Sequence, residues 1–211
     1  MGVKERRDRE RGATREKILE AARELFIEEG YDGVSMRQIA DKIEYSPTAI
    51  YLHFKDKDEL FLEICHEDFG LLAQSMVLLV RIGDPIERLR QIGVAYIEFG
   101  IANPNHYRRM FMTPHPPVPD EAERLDGKGN PEEDVYALVR GTVQEALQAG
   151  AFREHLKDVD LITQTVWAGM HGVIALQVAK YNEGWVPWRP IKERGATMID
   201  GLLDGLLKRK R

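Results

Sequence analysis

The sequence predicts an all-α protein with about nine helices. Apolar residues recur three and four positions apart along most of the chain, a spacing that places them on one face of an α-helix. Ser, Asp and Pro stand before several of these segments and glycine follows others, as at natural helix ends. No segment alternates apolar and polar residues in the manner of a half-buried strand. At 211 residues, the chain is long enough for two unequal domains.

The composition describes a folded protein without a membrane partner. Charged residues make up 31% of the chain and hydrophobic residues 43%, with a net charge of −5. No apolar run reaches the roughly 18 residues that span a bilayer, and the N-terminus lacks the apolar segment of a signal peptide, so we expect a cytoplasmic protein. Cys65 is the single cysteine, which rules out an intramolecular disulfide and favours a place in a helix core.

The N-terminal segment is predicted to be a flexible basic arm over residues 1–12. The first 19 residues hold seven Lys or Arg and four Asp or Glu, a net charge of +3 from 7 − 4. A first amphipathic helix is expected to begin at Ala13 or Thr14 and to end at Gly30. The arm is either a disordered tail or a segment that binds phosphates without sequence preference.

Two short helices are predicted next. Ser35 is a suitable N-cap for the first, and Ser46, followed by Pro47, for the second. In the second short helix, Ile50 and Phe54 are expected to face the core. Two capped helices of about two turns each, separated by a three-residue break and preceded by a longer helix, are typical of a helix-turn-helix, whose second short helix enters the major groove of DNA.

The second short helix also carries side chains suited to DNA. Thr48 and Ala49 are small enough to let the backbone approach base edges, and Tyr51, His53 and Lys57 can donate to phosphates. Plainer interpretations exist, because Tyr51 could be a core aromatic and His53 a solvated histidine.

The segment VSMRQIADKIEYSPTAIYLHFKDKDEL, residues 34–60, resembles the helix-turn-helix of the TetR family of bacterial transcription regulators. The likeness extends back through TREKILEAARELFIEEGYDGVS and covers about 50 contiguous residues. It implies a DNA-binding domain over residues 13–59 and a helical ligand-binding and dimerisation domain over residues 60–211. Residues at positions that commonly contact DNA are Ser35, Arg37, Ser46, Thr48, Tyr51, His53 and Lys57; the outer face adds Tyr45 and Ala49.

One residue of the turn departs from the family pattern. Glu44 occupies the position where the family usually has glycine, and Tyr45 replaces a small aliphatic residue. A left-handed Glu44 costs on the order of 1 kcal/mol and turns a negative charge toward phosphates. Either the turn differs locally or Tyr45 adds a contact.

The remaining helices follow from the same signals. Asp56 is expected to cap a long fourth helix, Asp84 to cap a fifth, and Pro131 and Gly150 to bound a seventh. A short sixth helix is predicted within residues 104–112, and the last two within 158–184 and 191–210. The proline-rich segment at 113–130 is predicted to be a loop.

The last two helices are predicted to form a dimer interface. The helix around residues 160–182 has two apolar faces, which requires two partners. Two chains that pair these helices would form a four-helix interface, as the family resemblance also implies. The candidate interface residues are Val173, Leu176, Ile199, Leu202 and Leu206.

An apolar or aromatic effector pocket is the remaining prediction from the resemblance. The sequence WAGMHG, residues 167–172, resembles the Trp-His-Gly signature of one C-terminal domain type in the family. The candidate pocket residues are Tyr96, Phe99, Met110, Phe111, Trp167, Met170 and His171. Aromatic and methionine residues at helical spacing equally suit a filled core, and His171 equally suits a hydrogen-bonded core histidine.

The favoured function is therefore a homodimeric, effector-responsive transcription regulator that binds a palindromic double-stranded operator. A repressor is favoured over an activator. The alternative is a constitutive DNA-binding protein without an inducer. An enzyme is disfavoured, because there is no phosphate-binding loop after a strand and His106 and His115 lack a third metal ligand nearby. No catalytic residue, metal site or cofactor is predicted.

Overall fold

The computed structural model describes residues 2–113 and 129–208, and the all-α fold is confirmed. Nine α-helices lie in these ranges, with short 3₁₀ helices at Val77–Arg81 and Tyr181–Glu183. The α-helices are α1 Val3–Gly33, α2 Met36–Lys42, α3 Pro47–Tyr51, α4 Lys57–Met76, α5 Pro85–Ala102, α6 Pro104–Met112, α7 Val135–Gln148, α8 Val159–Lys180 and α9 Ile191–Leu206.

Residues 3–12 are helical in the structure, which contradicts the prediction of a flexible arm over residues 1–12. Helix α1 begins at Val3, ten residues or more before the expected start. The Gly2 amide donates to Glu5 Oε2 at 2.9 Å, and Arg6 pairs with Glu10 one turn later at 2.8 Å. These local pairs stabilise the N-terminal end of α1, where the side chains are exposed and do not pack against a core.

Most predicted caps are present, with one shift. Ser35, Ser46 and Asp84 each accept a hydrogen bond from an amide of the first turn that follows, and Asp56 Oδ1 accepts one from the Glu59 amide at 2.8 Å. Helix α7 begins at Val135 rather than near Pro131, because Asp134 accepts from the Ala137 amide at 3.1 Å and so provides the cap.

The structure divides into two compact units, each with its own core. The first contains the chain through Asp68 and the segment that begins at Tyr107, whereas the second contains Phe69–His106 and most of the chain after the gap. The expected boundary after residue 59 lies inside the first unit, because the N-terminal part of α4 contributes Leu60, Phe61 and Ile64 to its core. Cys65 packs at the edge of this core, and burial raises the pKa of its thiol to about 12.

The second unit is a bundle of α5, α7, α8 and α9. Two helices approach α5 closely at Gly93, where an added Cβ would lie 2.8 Å from Ile199 Cδ1 and 2.9 Å from Met170 Sδ. Glycine is required there because a side chain would occupy space that α8 and α9 already fill. An isolated antiparallel bridge between Phe152 and Leu207 ties the end of α9 to the chain after α7, and no strand occurs in the described ranges.

Residues 114–128 lie outside the described part of the chain, and with them most of the predicted proline-rich loop and His115. Within residues 2–113 and 129–208, no helix is both long and apolar enough to cross a membrane. The same ranges contain no group of three or more His, Cys, Asp or Glu side chains arranged to hold a metal ion.

Candidate nucleic-acid interface and second-unit site

Two serine caps fix the short helices of the first unit. Ser35 Oγ accepts from the Gln38 amide at 3.3 Å, and the Gln38 side chain accepts from the Ser35 amide at 2.8 Å, which forms a capping box. Ser46 Oγ accepts from the Ala49 amide at 3.3 Å, with Pro47 in the first turn of α3. Helix α3 is therefore held in place at its N-terminus despite being only five residues long.

The turn between these helices places Glu44 in the left-handed region. Its φ is 59°, and it is the only non-glycine residue with a positive φ in the described ranges. The Tyr45 amide donates to the Ala40 carbonyl at 3.0 Å and the Glu44 amide to the Asp41 carbonyl at 3.2 Å. These two bonds form a Schellman-type C-cap, which normally has glycine where Glu44 stands. The Glu44 side chain is exposed.

The inner face of α3 is anchored in the core. Ile50 and Phe54 are buried, as predicted, and the Arg15 guanidinium carbon lies 4.8 Å from the centroid of the Phe54 ring. His53, which follows α3, has a buried Nδ1 without a hydrogen-bond partner. Burial, and then the nearby charges of Arg11 and Arg15, lower the pKa of His53, so its ring is neutral at pH 7 and can offer one N–H group.

The outer face of the helix-turn-helix exposes most of the predicted DNA-contacting residues. Tyr51 is 53% exposed, so it is not a core aromatic. The half-buried residues of the predicted set are Tyr45, Ala49, His53 and Lys57; the exposed ones are Ser35, Arg37, Ser46, Thr48 and Tyr51.

Lys57 is already engaged in contacts within its own unit. Its Nζ donates to the carbonyls of Tyr31 at 2.8 Å and Val34 at 2.9 Å, and lies 4.2 Å from the Tyr31 ring centroid. These contacts attach the start of α4 to the end of α1 and to the residue that follows it, and they leave one N–H group for another partner. The neighbouring Lys55 has a side chain that is 86% exposed. Lys55 was not in the predicted set, because the family resemblance pointed to Lys57 and the sequence alone does not show that Lys57 is engaged within its own unit.

Three of the predicted pocket residues form a polar cluster in the second unit. Trp167 Nε1 donates to Tyr96 Oη at 3.0 Å, and Tyr96 Oη lies 3.5 Å from His171 Nδ1. Burial lowers the pKa of His171, so its imidazole is neutral at pH 7. Tyr96 is buried, whereas 37% of the Trp167 surface is exposed. The cluster therefore combines buried hydrogen-bonding groups with an accessible ring.

The other predicted pocket residues have different positions. Phe99 and Met170 are buried in the core of the second unit. Met110 and Phe111 belong to the first unit, where the Phe111 ring centroid lies 4.9 Å from that of Tyr107. A single pocket that contains all seven residues stays a prediction.

The predicted interface residues fall on two different faces. Val173 and Ile199 are 6% and 4% exposed and belong to the core of the second unit, so they offer little surface to a partner chain. Ile199 points inward because α9 packs against Gly93 of α5. Leu176 is 49% exposed, and Leu202 and Leu206 are half-buried. The exposed face of α8 is free of charged residues along Leu161, Thr165, Ala168, Gly172 and Leu176.

The first unit is thus a helix-turn-helix with an exposed, capped second helix, which is the architecture of a DNA-binding protein. Residues 18–64 match the family described as "Bacterial regulatory proteins, tetR family", and residues 89–202 match "Tetracyclin repressor-like, C-terminal domain". The second match alone spans more than half of the chain. The chain belongs to the TetR family of bacterial transcription regulators.

Relatives agree with this assignment. The HTH-type transcriptional repressor AcnR of Corynebacterium diphtheriae is 42% identical over 60 residues, which are 28% of this chain and 32% of that protein. The HTH-type transcriptional activator FasR of Mycolicibacterium smegmatis is 30% identical over 120 residues, 56% of this chain and 53% of that protein. The chain spans about a third of the length of the first relatives it matches.

The likeness in fold extends over nearly the whole chain. The structure of the fatty acid degradation regulator FadR from Bacillus halodurans has a TM-score of 0.69 at 17% identity. That similarity covers 90% of this chain and 98% of FadR.

Proposed function

We propose that this chain is a homodimeric repressor that binds a palindromic operator and is released from it by a small apolar or aromatic effector. The observation that carries the proposal is the outer face of α3, where Thr48 and Tyr51 are exposed on a helix fixed by the Ser46 cap and by buried Ile50. Such a helix can enter the major groove without rearrangement, since its inner face is already packed.

The dimer is supported by the uncharged face of α8 and its neighbour on α9. Leu161, Thr165, Ala168, Gly172 and Leu176 recur at three- and four-residue spacing and are wholly or partly exposed. On α9, Met198 is 37% exposed and borders an open groove of about 680 Å³, which is also lined by Gly201, Leu202 and the charged residues Arg189, Glu193 and Arg194. A second copy of the chain that covers these faces would bury the apolar surface. It would also allow the α3 helices of the two copies to bind the two halves of one palindrome.

The effector is supported by the cluster of Tyr96, Trp167 and His171. Hydrogen-bonding groups inside an otherwise apolar bundle are typical of ligand sites, where they orient a mostly apolar molecule. Neutral His171 can donate or accept, and the accessible Trp167 ring offers a stacking surface. The constitutive binder is the second candidate, because the burial of Phe99 and Met170 equally fits a filled core.

The test is selection of bound duplexes from a random-sequence DNA library with the full chain, followed by sedimentation of the complex. Recovery of a two-fold symmetric sequence, bound by two chains, is the expected result. A chain that binds all duplexes equally, or that binds a single half-site as a monomer, contradicts the proposal.

A further inference from the structure

The N-terminal end of α1 carries a stripe of cations on one face. Lys4, Arg7, Arg11 and Arg15 are spaced by three, four and four residues, so at about 100° per residue they fall within roughly one quarter of the helix circumference. Ile18, the next residue in this series, is fully buried in the core of the first unit. The stripe therefore continues the face of α1 that packs onto the helix-turn-helix.

Contacts at the C-terminal end of the stripe fix its position beside α3. Arg15 lies over the Phe54 ring, with 4.8 Å between the guanidinium carbon and the ring centroid, and pairs with Glu63 at 2.8 Å. Arg11 is close enough to His53 for its charge to help lower the pKa of that ring. From Arg15 the stripe runs toward the N-terminus for about 16 Å, at 1.5 Å per residue, with Lys4, Arg7 and Arg11 exposed.

The other charges of this segment distinguish the stripe from an evenly solvated helix. Glu5 accepts from the Gly2 amide and Glu10 pairs with Arg6, and both glutamates lie off the stripe. Asp8 borders the stripe and Glu63 pairs with Arg15. Four cations against two carboxylates leave this face with a net charge of +2.

We infer that the N-terminal extension of α1 is a second DNA-contacting element, in which Lys4, Arg7 and Arg11 bind backbone phosphates that flank the base pairs read by α3. The inference rests on the proposed DNA-binding function and adds a defined surface to it. Its partner is the DNA backbone because the stripe is cationic, has little apolar surface and starts beside His53 and Phe54 at the end of α3. A rigid helical stripe would contact phosphates at fixed positions, unlike a flexible tail.

The experiment compares two double variants of the full chain on the selected operator. Arg7→Gln with Arg11→Gln removes two charges from the stripe, whereas Arg9→Gln with Lys17→Gln removes two charges from the other side of the same helix. The stripe variant should reduce operator affinity tenfold or more at moderate salt. Its plot of log K against log salt should become shallower by about two per chain, since each lost phosphate contact contributes roughly 0.9.

Hydroxyl-radical footprints provide a second measurement, because a general loss of positive charge would not remove protection at particular phosphates. The stripe variant should lose protection at the outer phosphates and keep protection at the base pairs under α3, while the matched control keeps both. Equal effects of the two double variants, or unchanged slopes and footprints for both, overturn the inference. If the wild type binds no duplex, both the proposed function and this inference are refuted. If the wild type binds its operator and the stripe variant binds it equally well, only this inference is refuted and the proposed function stands.

Discussion

Arg109 on α6 and Asp68 on α4 form a buried two-point ion pair within the first unit. Arg109 Nε donates to Asp68 Oδ2 at 3.0 Å and Nη2 to Oδ1 at 3.3 Å, and the two side chains are 3% and 1% exposed. Because the residues are 41 positions apart, the pair fixes the segment that begins at Tyr107 to a helix far from it in sequence. This contact helps to explain why that segment belongs to the first unit.

We predict that Asp68→Asn destabilises the first unit by about 3–5 kcal/mol, since it leaves the Arg109 charge buried without a counter-charge. Urea denaturation followed by far-UV circular dichroism would measure the shift. The matched control is Asp160→Asn, which breaks a similar two-point pair with Arg140 at an exposed position and should have a much smaller effect. Equal shifts for the two variants would show that burial of the Asp68 pair is irrelevant.

The strained turn gives a prediction in the opposite direction. Glu44→Gly should stabilise the first unit by about 1 kcal/mol, because glycine adopts the φ of 59° without steric cost. The same variant should tighten DNA binding, since it removes a negative charge from the turn beside α3. Thermal unfolding and operator titration measure the two effects.

Glu44→Gln separates these two contributions. It removes the charge but keeps a side chain on the strained residue, so it should tighten DNA binding without raising the midpoint of unfolding. If Glu44→Gln raised the midpoint of unfolding, charge repulsion rather than backbone strain would be the reason that Glu44 destabilises the first unit.

The local features of the helix-turn-helix were predictable from sequence because they depend on residues close together in the chain. Ser35 and Ser46 cap the helices that follow, and Ile50 and Phe54 face inward. Each feature follows from spacing within one or two helical turns. Side-chain types at those positions were therefore sufficient.

Features that depend on distant partners were not predictable. Val173 and Ile199 fit an interface pattern, but both are buried within one chain, and Ile199 packs against Gly93 of α5. The Lys57 ammonium fits a phosphate contact, yet two carbonyls 23 and 26 residues earlier bind it. The start of α1 at Val3 was missed because charged residues without apolar periodicity carry no amphipathic signal.

Two residues of α3 should affect DNA binding in different ways. Tyr51→Phe should weaken binding to all sequences about equally, because it removes a phosphate donor and leaves base contacts intact. Thr48→Val should instead change the preference at one operator position by roughly 1–3 kcal/mol. Titrations against a set of single-base operator variants distinguish the effects, and the reverse pattern would refute both assignments.

The dimer prediction concerns the exposed face rather than the buried residues. Leu176→Glu with Met198→Glu should produce monomers in sedimentation experiments, since both side chains are substantially exposed in one chain and would be buried in the dimer. Leu78→Glu is the control, because Leu78 is 65% exposed and lies outside these faces. Dimers that survive the double substitution, or monomers produced by the control, would place the interface elsewhere.

Effector binding should be visible through Trp167. The chain contains three tryptophans, so a Trp185→Phe, Trp188→Phe double variant leaves Trp167 as the only one. Because 37% of Trp167 is exposed and its Nε1 donates to Tyr96, a molecule that docks on this cluster should change the intensity or wavelength of its fluorescence. The measurement is a titration with a panel of apolar and aromatic compounds, repeated in the presence of operator.

An effector can release DNA only through a difference in its affinity for the two states of the protein, and a tenfold loss of operator affinity requires about 1.4 kcal/mol of that difference. By reciprocity, operator should weaken the effector's binding by the same factor that the effector weakens operator binding. A Trp167→Phe variant that keeps operator affinity but loses the response would place the effector at this cluster. If no compound changes Trp167 fluorescence or operator binding, the constitutive DNA-binding protein replaces the effector-responsive repressor.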